Sequence, residues 1–190
     1  MHAVGLLFLL HRLIWLKSAS AISLKAQIMY LLVFVTRYLD LLVPGGYIYN
    51  RVFKIYYILS TAIIVFLLWR SGHAPGWKST YNREKDTFVA TFIAIPSFVL
   101  AYALTPSGAL EGSLHWIDVL QILWTFSIYM EAFVMLPQYI MFYRMTVERP
   151  DLYAFLIVFC LGGYRVLYMI NWIMKFKMKG AYVSRYHVVS

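Results

Sequence analysis

The sequence has very little of what holds a secreted or water-soluble protein together. Of its 190 residues one is cysteine and only 13% are charged, whereas soluble proteins carry roughly 25% charged residues. The single cysteine, Cys160, excludes a disulfide-stabilised secreted domain. The apolar excess excludes a disordered chain and argues against a water-soluble globule.

Acidic residues are scarce as well. Lys and Arg number 17 against 8 Asp and Glu, so the net charge is +9. In a soluble protein this balance would suggest nucleic acid as a partner. Here 62% of the residues are apolar, so basic membrane loops and a buried anionic ligand account for the charge better. The composition therefore indicates a small, basic, polytopic protein that is surrounded by membrane lipid and binds no nucleic acid.

Apolar runs divide the chain into candidate membrane spans, each of which needs about 20 residues. The first run, 3–16, is short and begins almost at Met1, so we interpret it as the second half of a helix whose start is missing. The segment after Met174 is too polar to span. We therefore predict six spans, the first incomplete; the other five are 26–43, 52–69, 88–104, 116–143 and 152–174.

The loop charges predict an orientation. Cations concentrate in 17–25, 70–85 and 144–149, and the positive-inside rule places these loops in the cytosol. The amino terminus is then luminal. The basic residues after Met174 would also be luminal, against the rule, which makes the carboxyl end suspect.

Several ionisable residues fall inside predicted spans, where charge is costly and usually marks a cavity or a partner. Arg37 and Asp40 are three residues apart and hence on one helical face. Glu131 and Arg165 lie near the middle of the last two spans. One interpretation is structural, with Arg37–Asp40 and Glu131–Arg165 as ion pairs between helices. The other is a polar cavity.

Two polar stripes favour the cavity, because each follows the helical period of 3.6 residues. Cations outnumber acids among these groups and Arg37, which predicts an anionic ligand, a carboxylate or a phosphate. The stripes are Tyr164, Tyr168, Asn171 and Lys175 in the last span, and Gln121, Trp124, Ile128 and Glu131 in the span before it.

We find no motif for enzymatic chemistry, for a cofactor or for a metal site, and we predict that the protein is not an enzyme. His2, beside the first span, is by position alone an ordinary terminal histidine. The Pro137-Gln138 dipeptide permits a helix bend.

Four strings resemble the ER lumen protein-retaining receptors, the KDEL receptors: VFVTRYLDLL (33–42), IYNRVFKIYYI (48–58), ILWTFSIYMEAFVMLPQ (122–138) and GGYRVLYMINWIMKF (162–176). The resemblance implies an all-α bundle of seven spans related to the PQ-loop and SWEET transporters. About six spans would be present, with residues 1–176 forming the bundle and 177–190 a divergent tail without a seventh helix.

The resemblance also implies a function. Such receptors bind the carboxyl-terminal KDEL or HDEL signal of escaped ER proteins in the Golgi, return in COPI and COPII coated vesicles, and release the signal in the less acidic ER. By the resemblance Arg37 holds the terminal carboxylate beside Tyr38 and Asp40, and His2, Glu131 and Tyr164 gate binding by pH. The remaining cavity residues carried over are Trp124, Arg165, Tyr168 and Asn171.

Two positions depart from the family pattern. Gln121 replaces a glutamate that faces the first residue of the signal, which should weaken a preference for Lys there. Lys175 replaces an arginine, which keeps the charge but loses bidentate geometry. Because the resemblance implies that both termini are cut short, a non-functional truncated paralogue stays an alternative, as does a SWEET-like small-solute transporter.

Overall fold

The computed structural model describes residues 2–42, 47–73, 81–105, 116–146 and 152–179, and within these ranges the chain is helical with no strand. This confirms the predicted all-α class. The helices in chain order are α1 His2–Ile14, α2 Leu24–Arg37, a 3-10 turn Leu39–Leu42, α3 Ile48–His73, α4 Thr91–Leu104, α5 Trp116–Phe133, α6 Leu136–Thr146 and α7 Leu152–Lys179.

Three of the described stretches are long and apolar enough to cross a membrane, namely Ile48–Ser71, Asp118–Met145 and Ala154–Lys175. The helices in the other three predicted spans are shorter. α1 has 13 residues and α2 and α4 have 14 each, and 14 residues rise only about 21 Å. Large apolar side chains lie exposed on the outer surface, as on Phe66, Phe92 and Phe159, which suits contact with lipid.

The first and last helices agree with the predicted spans. α1 covers His2–Ile14, and His11 and Arg12 lie in its last turn, where the helix dipole favours cations. The last apolar stretch ends at Lys175, and the helix α7 continues to Lys179. The boundary predicted for the second span was wrong. α2 ends at Arg37 rather than continuing to residue 43, because Tyr38 leaves helical geometry with φ −100° and ψ 21°. Hydropathy cannot detect such a backbone break.

The long fifth span is two helices, with the chain turning at Val134 and Met135. Pro137 is the second residue of α6, where its missing N–H is not needed by the helix. Gln138 is buried and bridges back to the segment before α2: its side-chain amide donates to the Ala21 carbonyl at 2.7 Å and its Oε1 accepts from the Ser23 N–H at 3.0 Å. The dipeptide thus fastens α6 to α2 as well as permitting the bend.

A second set of contacts fixes the start of α2. Asp86 is buried and accepts hydrogen bonds from Ser23 Oγ at 2.9 Å and from the Tyr81 hydroxyl at 2.7 Å. Burial first, and then this bond to Asp86, raises the pKa of the Tyr81 phenol far above its ordinary value. The phenol therefore stays protonated and keeps donating. Together with Gln138, this network holds one end of α2 rigidly.

α2 is the central helix of the bundle. It packs against α3, α5 and α6, while α1 packs against α3 and α7, and α4 packs against α5. Gly5 lets α1 approach α7 closely, since a Cβ there would lie 2.8 Å from Leu161 Cδ2 and 3.2 Å from Cys160 Cβ. Because one end of α2 is tied down, the position of Arg37 at its other end is set by packing against α5.

Candidate functional site

The centre of the candidate site is the guanidinium of Arg37, the last residue of α2. Its Nε donates to Ser127 Oγ at 3.1 Å, and its Nη1 forms an ion pair with Glu131 Oε2. Both side chains of the ion pair are about one-fifth exposed, at 21% for Arg37 and 22% for Glu131. A half-buried arginine whose Nε and Nη1 are both held by one neighbouring helix is well oriented to bind a carboxylate.

The two acceptors on α5 are four residues apart, which places them on one helical face. Ser127 is fully buried, and its hydroxyl donates to the Trp124 carbonyl at 2.6 Å. Sequence reasoning missed Ser127. The spacing of Ser127 and Glu131 was a usable signal, because a hydroxyl one turn from an intramembrane acid can share a cation with it.

This geometry adds an ion pair to those expected from the sequence. Glu131 pairs with Arg37, whereas the sequence pointed to Arg165 as its partner. Arg37 and Asp40 do not share one α-helical face, because α2 ends at Arg37 and Asp40 belongs to the 3-10 turn. The side chains of Asp40, Tyr164 and Arg165 lie outside the described part of the structure, so their assigned roles stay predictions.

Tyr38 lies beside the site on the face that looks toward α3. Its ring stacks on Phe34 with centroids 5.8 Å apart and planes within 3°. Lys54 of α3 places its Nζ 5.6 Å from the centroid of the same ring, within cation–π range. Lys54 is a second residue that sequence reasoning missed, although it falls inside the predicted span 52–69 and the high cost of charge there could have singled it out.

His2 lies among aromatic rings at the start of α1. Its ring centroid is 5.3 Å from that of Tyr30, 5.6 Å from Phe34 and 5.7 Å from Tyr57. The Tyr56 hydroxyl donates to the Ala3 carbonyl at 3.3 Å and ties this end of α1 to α3. His2 thus contacts rings of both α2 and α3.

The stripe predicted on α5 does not all face the site. Gln121 is exposed and Trp124 is 39% exposed, whereas Ile122, Phe126 and Met130 are buried. The inward face of α5 is therefore rotated from the expected one, because α5 packs on both α2 and α4. Glu131 reaches Arg37 from the edge of that face.

The stripe predicted on α7 is also outward among the described residues. Tyr168 is 56% exposed, and Asn171 and Lys175 are exposed. Lys175 Nζ lies 5.7 Å from the ring centroid of Trp172 on its own helix. α7 makes its contacts through its first half, where Ala154, Ile157 and Leu161 are buried. The structure thus joins Arg37, Ser127 and Glu131 but leaves these α7 groups apart from them.

Comparison with known proteins shows the family to which the chain belongs. The family model described as ER lumen protein retaining receptor matches residues 18–175. The chain belongs to the ER lumen protein-retaining receptor family. That range contains Arg37 and both of its acceptors on α5.

Individual relatives agree. The ER lumen protein-retaining receptor of Entamoeba histolytica is 35% identical over 96% of this chain and 78% of its own length. The receptor erd-2.1 of Caenorhabditis elegans is 35% identical over 92% of this chain and 75% of its own. Receptor 2 of Danio rerio is 37% identical over 94% and 77%. Family membership and the apolar helices together make the protein a multi-pass membrane receptor of the secretory pathway.

Proposed function

We propose that this receptor retrieves escaped ER luminal proteins by binding a carboxyl-terminal signal of the KDEL or HDEL type. The observation that carries the proposal is the ion pair of Arg37 with Glu131 on a half-buried guanidinium. An internal carboxylate occupies the position that a peptide carboxylate would take. Ligand binding is then an exchange of one carboxylate for another on the same arginine.

The exchange gives binding a pH dependence with a definite sign. When the signal displaces Glu131 from Arg37, a further carboxylate enters a poorly solvated site, and a proton taken up there would balance its charge. Binding is therefore coupled to proton uptake, and the affinity rises as the pH falls. The receptor would capture cargo in the mildly acidic Golgi and release it in the ER.

His2 supplies a second proton-sensitive group. An ordinary histidine titrates near pH 6.5, and the ring centroids of Tyr30, Phe34 and Tyr57 lie 5.3–5.7 Å from that of His2. Protonation would strengthen the contact of α1 with α2 and α3 and close the helices around the signal. Tyr164 would receive the displaced Glu131 side chain in the bound state, as the family resemblance implies.

The acidic side chains of the signal need further cations. Lys175 is the candidate from the family pattern, and closure would have to bring it inward from its exposed place on α7. Travel between Golgi and ER would depend on vesicle coats of the COPI and COPII type. The receptor itself performs no chemistry on its cargo.

The test is binding of a fluorescent HDEL-ending peptide to the purified receptor in lipid nanodiscs, at mildly acidic and at neutral pH. We expect saturable binding that is tighter at the acidic pH, and no saturable binding of a peptide with the same residues scrambled. Equal affinity at the two pH values would contradict the pH-gated exchange. Absence of binding at both would contradict the receptor function.

A further inference from the structure

The proposed exchange of carboxylates on Arg37 gives no role to the hydroxyl of Ser127. It has a single hydrogen to donate, and that hydrogen is directed at the Trp124 carbonyl at 2.6 Å. The oxygen lone pairs are therefore left to accept, and one of them accepts from Arg37 Nε at 3.1 Å. The serine is fully buried, so water does not compete for this bond.

The bond determines which edge of the guanidinium remains for a carboxylate. Arginine can meet a carboxylate in a bidentate way through Nε and one Nη, or through its two Nη groups. With Nε engaged by Ser127, the first mode requires that bond to break. Glu131 accordingly meets Arg37 at Nη1, and an incoming carboxylate is steered to the same end.

We infer that Ser127 is a positioning residue for signal binding: it holds the Arg37 guanidinium by Nε throughout the exchange, so that Glu131 and the terminal carboxylate of the signal compete for the Nη end alone. The inference rests on the proposed function. Ser127 is neutral and need not leave when the ligand arrives, whereas Glu131 must. The guanidinium is thus aligned before the signal arrives, which lowers the ordering cost of binding.

Removing the hydroxyl has a directional consequence. Without Ser127 the guanidinium is no longer fixed at Nε and can turn its Nε and Nη2 edge toward Glu131, which can then bind both nitrogens. The internal carboxylate becomes the stronger competitor, and the signal should bind only when more Glu131 is protonated. We therefore expect Ser127→Ala to weaken HDEL-peptide affinity at mildly acidic pH by roughly three- to tenfold. The pH profile of binding should also move toward lower pH.

A matched control exists on α3. Ser71 is buried, and its hydroxyl donates to the Leu68 carbonyl three residues earlier at 2.8 Å, as Ser127 donates to Trp124. Ser71→Ala removes an equivalent bond without touching Arg37. We expect the affinity and the pH profile of this variant to match the wild type.

The experiment measures HDEL-peptide affinity across pH for the wild type, both alanine variants, Ser127→Cys and Ser127→Thr, with thermal unfolding as a check on folding. Cysteine fills the same space with a weak acceptor and should behave like alanine, while threonine keeps the hydroxyl and should restore the wild-type profile. If Ser127→Ala does not fold, the pH profiles of Ser127→Cys and Ser127→Thr are compared instead, and their difference shows the effect of the hydroxyl. An unshifted profile in the variants lacking the hydroxyl overturns the role of Ser127, whereas a wild type that binds no peptide overturns the proposed function instead.

Discussion

At the scale of single residues, the account depends on the partners of one guanidinium. The sequence alone pointed to Arg37 and Glu131, because charge inside an apolar run is costly and rarely accidental. It did not predict that they meet. They are 94 residues apart, and nothing local in either segment tells which of several intramembrane charges will be its partner.

Glu131→Gln tests the exchange. Glutamine keeps the shape but loses the charge that holds Arg37, so the signal meets less competition. We expect HDEL-peptide affinity at neutral pH to rise by roughly tenfold and its pH dependence to flatten. The peptide-free protein should lose about 1–3 kcal/mol of stability, because Arg37 becomes a half-buried cation without its carboxylate. Titration calorimetry and thermal unfolding measure the two effects, and weaker peptide binding at neutral pH would contradict the competition.

Arg37→Lys tests the geometry rather than the charge. Lysine is a point charge without the planar fork and cannot keep both Ser127 and a carboxylate in the same arrangement. We expect the affinity for the peptide to fall by about tenfold or more at mildly acidic pH, with little change in expression or folding. The same peptide titration checks this. Unchanged affinity would mean that charge alone, without the orientation provided by α5, is enough.

Gln121→Glu concerns the choice of signal. The family resemblance places Gln121 opposite the first signal residue, and the side chain is exposed on α5 in the described structure. A restored carboxylate should favour a KDEL-ending peptide over one with a neutral first residue, by a few-fold for an exposed pair. A competition assay between the two peptides measures this ratio. An unchanged ratio would remove Gln121 from the signal pocket.

At the scale of helices, hydropathy predicted where most of them lie but not where they stop. The predicted spans 26–43 and 116–143 are each interrupted, by the 3-10 turn after Tyr38 and by the turn at Val134 and Met135. These breaks decide the site, since they end α2 at Arg37 and allow Gln138 to reach Ser23. A count of apolar residues does not detect them, because each break lies within a predominantly apolar run.

The contact of α1 with α7 offers a test at this scale. At Gly5 a methyl group would meet Leu161 and Cys160 at 2.8–3.2 Å, whereas at Gly163 the nearest described atoms, on Phe159, are 3.8 Å away. Alanine favours a helix over glycine by about 1 kcal/mol, so Gly163→Ala should be neutral or stabilising. We expect Gly5→Ala to be about 1–3 kcal/mol less stable than Gly163→Ala because of crowding. Thermal unfolding in nanodiscs compares the two, and equal stability would refute the close approach.

At the scale of the whole molecule, composition and family together define the class. The sequence predicted an all-helical, polytopic membrane receptor, and the helices and the family match confirm it. The cavity predicted between the two polar stripes stays a prediction. The described stripe residues that are exposed on the surface include Gln121, Tyr168, Asn171 and Lys175. The helical period shows which residues share a face. It does not show whether that face is directed toward the bundle or away from it.

Under the proposed function, the described arrangement is the receptor before capture of its signal. Arg37 is paired with Glu131 of α5, and Tyr168 and Lys175 in the second half of α7 are exposed. Binding of an acidic signal would draw those α7 groups inward and release Glu131. The signal shifts the equilibrium between the receptor before capture and the closed receptor only by binding the closed state more tightly. The contact that differs most between these two states is therefore the one to measure.

That contact is the bond between Arg37 and the terminal carboxylate of the signal. The most direct measurement compares an HDEL-ending peptide having a free carboxyl terminus with the same peptide amidated, by titration on the purified receptor at mildly acidic pH. Carboxylate exchange predicts that the free acid binds and that the amide binds at least roughly a hundredfold more weakly. Equal affinity of the acid and the amide would contradict the account.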